Sequence, residues 1–286
     1  MKIPPRLRPL ADDGLIDEVL RQVKSGKEAD VFVVRCGDTR RCAKVFKEAN
    51  QRSFRQAAIY QEGRKERSTR RARAMSGGTR FGRQEQEKSW INAEVEALYT
   101  LSAAGVRVPR PLAFVDGVLL MELISDADGH VAPRLGEVVL DAATARDYHQ
   151  RLITEVVRML MAGLIHGDLS EFNILIDEHG PVIIDLPQAV NAAANLSAGM
   201  LLVRDVDRLR RFLGRFAPEL LDTDYGKEIW ALYAGGRLRV DSVLTGRYEP
   251  AQADVNLAEL MGIIDAAREE EMERRARLRG DEDEEP

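Results

Sequence analysis

Two pairs of short apolar runs, each pair joined by a tight turn containing Asp and Gly, occupy the first part of the chain. They commit it to a lobe built on antiparallel strands. Val31-Phe32-Val33-Val34-Arg35-Cys36 and Arg41-Cys42-Ala43-Lys44-Val45-Phe46 flank Gly37-Asp38-Thr39-Arg40. The second pair, Pro111 to Val115 and Val118 to Leu123, is separated by Asp116-Gly117 alone. Asp-Gly between apolar runs signals a hairpin, because both residues tolerate positive φ. After the second pair the period changes. Residues 143–162 place Tyr148, Leu152, Val156, Met159 and Leu160 on one helical stripe, with Gly163 as a stop. A strand-rich first part and a helix-rich second part predict two lobes with a cleft between them.

Between the hairpins the spacing predicts a helix of about 20 residues ending near Gly105. The spacing of Leu15, Ile16, Val19, Leu20 and Val23 predicts a short helix over 11–24. Two short strands, 173–176 and 182–184, follow the long helix, and residues 198–278 read as mostly helical. From Arg52 to Arg83 ten basic residues face two acidic ones, Glu62 and Glu66, and the chain ends in an acidic run, Asp281 to Glu285. Both segments read as solvated. The divisions expected are a helical extension at 1–24, a β-rich lobe at 25–123 with a basic insert near 52–88, a helical lobe at 124–267, and a charged tail at 268–286.

At 286 residues and 44% hydrophobic content the chain can bury a substantial core. A net charge of −5 argues against wholesale nucleic-acid binding. Two cysteines, Cys36 and Cys42, are too few for a disulfide framework or a zinc site, and read as reduced thiols. The first 20 residues lack the apolar core of a secretion signal, and no apolar run reaches membrane-spanning length, so a cytoplasmic, membrane-free protein is expected.

The segment His166-Gly167-Asp168-Leu169-Ser170-Glu171-Phe172-Asn173, followed by Ile183-Ile184-Asp185, carries the chemistry. Phosphoryl transfer from ATP needs an oriented nucleophile and a metal that neutralises phosphate charge. An Asp just past a helix can take the acceptor hydroxyl's proton, which assigns Asp168. The Asn173 amide oxygen and the Asp185 carboxylate are hard donors suited to Mg²⁺ or Mn²⁺. His166 reads as a packing residue of the loop. Lys44, on a strand, is placed to touch ATP phosphates if a carboxylate holds it. Ile91, Val95, Leu98 and Leu101 define the inward stripe of the second helix. Glu94 falls on that stripe and Glu96 opposite it, so Glu94 requires a cation and Lys44 is the candidate. Lys24-Ser25-Gly26-Lys27-Glu28-Ala29-Asp30 precedes the first hairpin and offers Ser25, Gly26 and Lys27 to the phosphates.

Taken together, Ser25 to Ala29, Ala43-Lys44, Trp90 to Leu98, His166 to Asn173 and Ile184-Asp185-Leu186-Pro187-Gln188-Ala189-Val190 resemble the RIO family of atypical protein kinases over roughly residues 15–215. The resemblance implies an α+β, two-lobed protein-kinase-like fold with a small β-rich N-lobe and a truncated, mostly helical C-lobe. It implies an ATP-dependent serine/threonine kinase that autophosphorylates, with Asp168 as base and Asp185 as metal ligand and, in parts of the family, phosphoryl acceptor. The latter suits an ATPase-driven switch on a ribonucleoprotein as the alternative. Met121-Glu122-Leu123-Ile124 resembles the hinge, where the Glu122 carbonyl and Ile124 amide meet adenine. The basic insert is either a solvated loop or a site for an acidic or RNA-containing partner, and the protein substrate is unassigned.

Overall fold

In a computed structural model, residues 2–26, 28–47 and 80–249 are described, with the backbone alone for 80–89. Lys27, the basic insert as far as residue 79, and the tail from residue 250 lie outside the described residues. The chain folds as one unit over Met1–Gly246.

Five antiparallel strands form the first lobe: β1 (Glu18–Ser25), β2 (Ala29–Cys36), β3 (Thr39–Phe46), β4 (Pro111–Val115) and β5 (Val118–Glu122). Their order in the sheet is β1-β2-β3-β5-β4. Both expected hairpins are present. Asp116 (φ 47°) and Gly117 (φ 75°) take the left-handed conformations that a two-residue turn demands. Cys36 and Cys42 are free thiols. Cys42 lies opposite Val33 and Cys36 opposite Thr39, so the register keeps them on different rungs.

The helix expected over 11–24 is not formed. Pro5–Asp12 makes a 3-10 turn running into a short helix, α1 (Arg8–Asp12), and Glu18–Ser25 is an edge strand. The helical extension expected at 1–24 therefore ends in a strand of the first lobe's sheet. Two register shifts against β2, between Val19 and Arg21 and between Gln22 and Lys24, explain the difference. Each bulge adds a residue and breaks the two-residue alternation, so the apolar spacing imitates a helical period. Val19 is fully buried, whereas Leu20 and Val23 are exposed.

The sheet is covered on both faces. Leu7 and Leu10 of the N-terminal segment pack with Ile16, Val34, Val45, Val118 and Leu120. Phe46, Val95, Leu98, Leu101 and Leu119 belong to the other, main core, which continues into the second lobe. Val118-Leu119-Leu120 is thus buried in succession, as a strand with both faces covered requires.

The covering helix on the second face is α2 (Arg80–Ala103), ended by Gly105 at φ 74°. The loop after it is tied to the second lobe. Arg107 donates to Asp177 (2.6 Å), its amide donates to Glu155 (2.9 Å), and its carbonyl accepts from the Ile183 amide (2.9 Å).

The second lobe begins with α3 (Ala142–Met161), capped by Asp141, whose carboxylate accepts from the Thr144 amide at 2.7 Å. Two small antiparallel pairs follow. β6 (Leu164–Ile165) pairs with β9 (Val190–Asn191), and β7 (Ile174–Asp177) pairs with β8 (Gly180–Ile183). α4 (Ala198–Leu213) packs beside β6, and α5 (Tyr225–Ala234) packs against α4. Gly199 lets these two helices meet closely, because a Cβ there would lie 2.5 Å from the Trp230 ring. Residues 235–249 are turns and irregular chain rather than the helix expected there. No helix among the described residues is long and apolar enough to cross a membrane.

Candidate active site

A cleft of about 770 Å³ separates the lobes. Its walls come from the loop before β2 (Gly26, Glu28), from β3 (Lys44), from the end of β5 and the segment after it (Met121 to Ile124), and from the residues just past β8 (Ile184, Asp185). Glu122 and Ile124, the expected adenine contacts, both line it.

Pairing places Lys44 between Val31 of β2 and Leu119 of β5, in mid-sheet. Its ammonium donates to Glu94 Oε1 on the buried face of α2 and, at 2.9 Å, to Asp185 Oδ1. The Lys44 and Glu94 side chains are only 13% and 9% exposed, so each needs the other's charge. Burial works against the Lys44 charge, but Glu94 and Asp185 outweigh it and push the ammonium's pKa up. The same Lys44 charge, working against burial, holds the Asp185 carboxyl below the usual carboxylate range. Asp185 adopts φ +66°, a left-handed conformation uncommon outside glycine and concentrated at functional sites.

The loop from His166 to Asn173 is brought to Asp185 by backbone bonds. Ile174 pairs with Ile183, and the Ile184 amide donates to the Asn173 carbonyl at 2.9 Å. His166 is buried at the centre. Its Nε2 donates to the Ile184 carbonyl (3.1 Å), while Nδ1 accepts the Asp168 amide (3.3 Å). Burial lowers its pKa, keeping the ring neutral, which suits a packing residue. Asn173 Nδ2 donates to the Asp168 carbonyl at 2.9 Å. The amide nitrogen is thereby engaged, and Oδ1 is the atom left for a cation. An amide oxygen with the Asp185 carboxylate is the donor set that hard divalent cations take.

Below the loop, α4 contributes three side chains that sequence reasoning missed. Asp205, 1% exposed, accepts from the Gly167 amide at 2.8 Å. Burial pushes its pKa up to about 7, against the lowering effect of Arg204 and of the Gly167 amide. Arg204 donates to the Gly167 carbonyl. Arg208 Nη1 donates to Asp168 Oδ1 at 2.7 Å. Nothing in the spacing Arg-Asp-x-x-Arg says which loop it will meet. That depends on how α4 packs.

Ser25, expected at the phosphates, is not part of the cleft wall. Its hydroxyl donates to Asp30 (2.6 Å) and accepts from Lys47 (3.2 Å). Lys47 also donates to the Gly26 carbonyl at 2.8 Å. Lys47 is not legible as a loop residue, because it lies beyond β3 and reaches the loop only through the β2–β3 register. Among the described residues, a group of acidic and histidine side chains close enough to share a metal, Asp126, Asp128 and His130, is largely exposed and lies in the turn after Ile124.

A five-stranded sheet with a lysine–glutamate pair to its covering helix, set over a helical lobe, defines a two-lobed, protein-kinase-like α+β fold. The profile of the RIO domain matches residues 30–225. The RIO-type serine/threonine-protein kinase Rio1 of Haloferax volcanii is 36% identical over 208 residues, covering 72% of this chain and 67% of that protein. The serine/threonine-protein kinase RIO1 of Homo sapiens is 31% identical, covering 62% of this chain and 30% of the human protein. Among solved structures, the Cydia pomonella granulovirus kinase PK-1 gives a TM-score of 0.41 at 14% identity, covering 66% of this chain and 58% of that one. The chain belongs to the RIO family of atypical serine/threonine kinases. It spans about two thirds of the Haloferax protein's length and less than a third of the human one's.

Proposed function

We propose that the chain transfers the γ-phosphoryl group of ATP to a serine or threonine hydroxyl, beginning with hydroxyls of its own. The observation carrying this reading is the joining of buried Lys44 and Glu94 to Asp185 in one ion cluster at the cleft, with Asp168 and Asn173 tied to the same strand end. Lys44, held by Glu94, orients the α- and β-phosphates. Gly26 brings backbone close to them, and the segment Glu122 to Ile124 receives adenine. Asn173 and Asp185 would hold the divalent cation, Mg²⁺ or Mn²⁺, which would supply positive charge to offset that of the phosphates. Asp168 accepts the proton of the attacking hydroxyl.

Incubation with γ-labelled ATP and either cation tests the reading. Acid-stable label on serine or threonine is the expected product. Label in a base-labile aspartyl adduct, with release of free phosphate, would instead identify an ATPase-driven switch with Asp185 as acceptor. Neither label nor phosphate release under any cation would remove both. For the basic insert, deletion of residues 64–83 is expected to weaken polyanion binding while ATP binding persists. Unchanged polyanion affinity would leave the insert a solvated loop.

A further inference from the structure

We propose that Arg208 is a positioning residue for the transfer, holding the Asp168 carboxylate by one oxygen so that the other is free for the acceptor hydroxyl. The inference rests on the reading of Asp168 as proton acceptor. The backbone around Asp168 is fixed from several sides: its carbonyl by Asn173, its amide by His166, and Gly167 by Asp205 and Arg204. None of these bonds restrains the Asp168 side chain. Among the described residues, the polar bond to its carboxylate comes from Arg208, to Oδ1 at 2.7 Å.

Residues 204 and 208 are four apart and residues 205 and 208 three apart, so all three border one side of α4. A single helix face therefore clamps Gly167-Asp168, with Arg208 reaching the functional group. From Leu169 to Asn173 the loop itself carries no basic residue, and its one charged side chain is Glu171. A carboxylate facing a triphosphate needs a compensating positive charge, and here α4 supplies it. Arginine suits this position because it stays charged at any working pH, and its planar donors fix direction as well as distance.

The pair is half-exposed, at 39% for Arg208 and 49% for Asp168. An ion pair so open to water adds little to folding stability. The signature of a positioning role is therefore lost turnover without lost stability.

The test uses the full chain, with Arg208→Ala, Arg208→Lys and Arg208→Gln assayed for transfer from ATP beside thermal melting. Arg208→Ala should lower kcat about 10-fold, the scale of a loosened reacting group. The KM for ATP should stay within roughly two-fold, since the phosphates are held elsewhere. Melting should stay within about 3 °C. Arg208→Lys should recover a large part of kcat and Arg208→Gln should not. Free methylguanidine should raise the rate of Arg208→Ala and leave the wild type unaffected. Wild-type kcat in Arg208→Ala would overturn the inference while leaving the kinase reading standing. So would equal impairment of all three variants accompanied by lowered melting. A wild-type chain inert toward ATP would remove the kinase reading, and this inference with it.

Discussion

The two halves of the site are held by different physics. On the β-rich side, Lys44 and Glu94 are almost sealed from water and form a cluster with Asp185, which reaches them from across the cleft. On the helical side, Asp168 is held by loop backbone and by a half-exposed arginine. The first arrangement is tied to stability, because removing one member strands a buried charge. The second is nearly uncoupled from it. The comparison teaches that one cleft can fix the groups proposed to meet phosphate through the core while leaving the carboxylate proposed to react adjustable. Variants of the two halves should therefore fail differently, one in melting and the other in turnover.

The largest effect falls on the helical half. Asp168→Asn keeps the shape and removes the proton acceptor, and turnover should drop on the order of 10³-fold. Nucleotide affinity, measured by calorimetry, should hardly change, since the residues proposed to meet adenine and phosphates are elsewhere. Substantial residual turnover would take Asp168 out of its role. On the opposite half, Lys44→Met leaves Glu94 buried without its cation. The expected loss is about 3 kcal/mol of stability by denaturant unfolding, together with ATP affinity. A Lys44→Met chain as stable as wild type would break the contrast between the halves.

What can be read from the sequence follows the same division. Glu94 sits on an apolar helical stripe, and a carboxylate there has no cheap alternative to a cation, so its partnership with Lys44 is legible from spacing alone. The hairpins are legible because Asp116-Gly117 leaves the backbone little choice. Arg208 is not legible, since an arginine on an amphipathic helix is ordinarily solvated and only packing reveals what it meets. Loop composition assigns Ser25 to the phosphates, whereas its hydroxyl is engaged by Asp30 and Lys47. The strand at Glu18–Ser25 is hidden by its own bulges, which shift the apolar spacing toward a helical period.

The smallest effect tests whether the helical lobe carries titratable strain apart from the cleft. His149 is 2% exposed on α3, tilted against Tyr225, and its Nε2 has no hydrogen-bond partner among the described residues. Burial alone lowers its pKa to about 4. The unfolded chain takes up a proton near the ordinary value of about 6.5, which the folded chain refuses until lower pH. Stability from this group is therefore complete above that value and is lost as pH falls toward about 4, amounting to about 2 kcal/mol at about pH 5. Asp205 acts in the opposite sense. Its folded pKa is raised, so the folded chain keeps a proton that the unfolded chain has released, and stability declines as pH rises through about 7. Comparing wild type with His149→Phe cancels the Asp205 contribution, which is common to both. The difference in melting temperature between the two chains should grow in the variant's favour as pH drops from 7 to 5. Parallel melting curves across that range would show that His149 meets water or a partner in solution, and that the helical lobe is as relaxed there as at its surface.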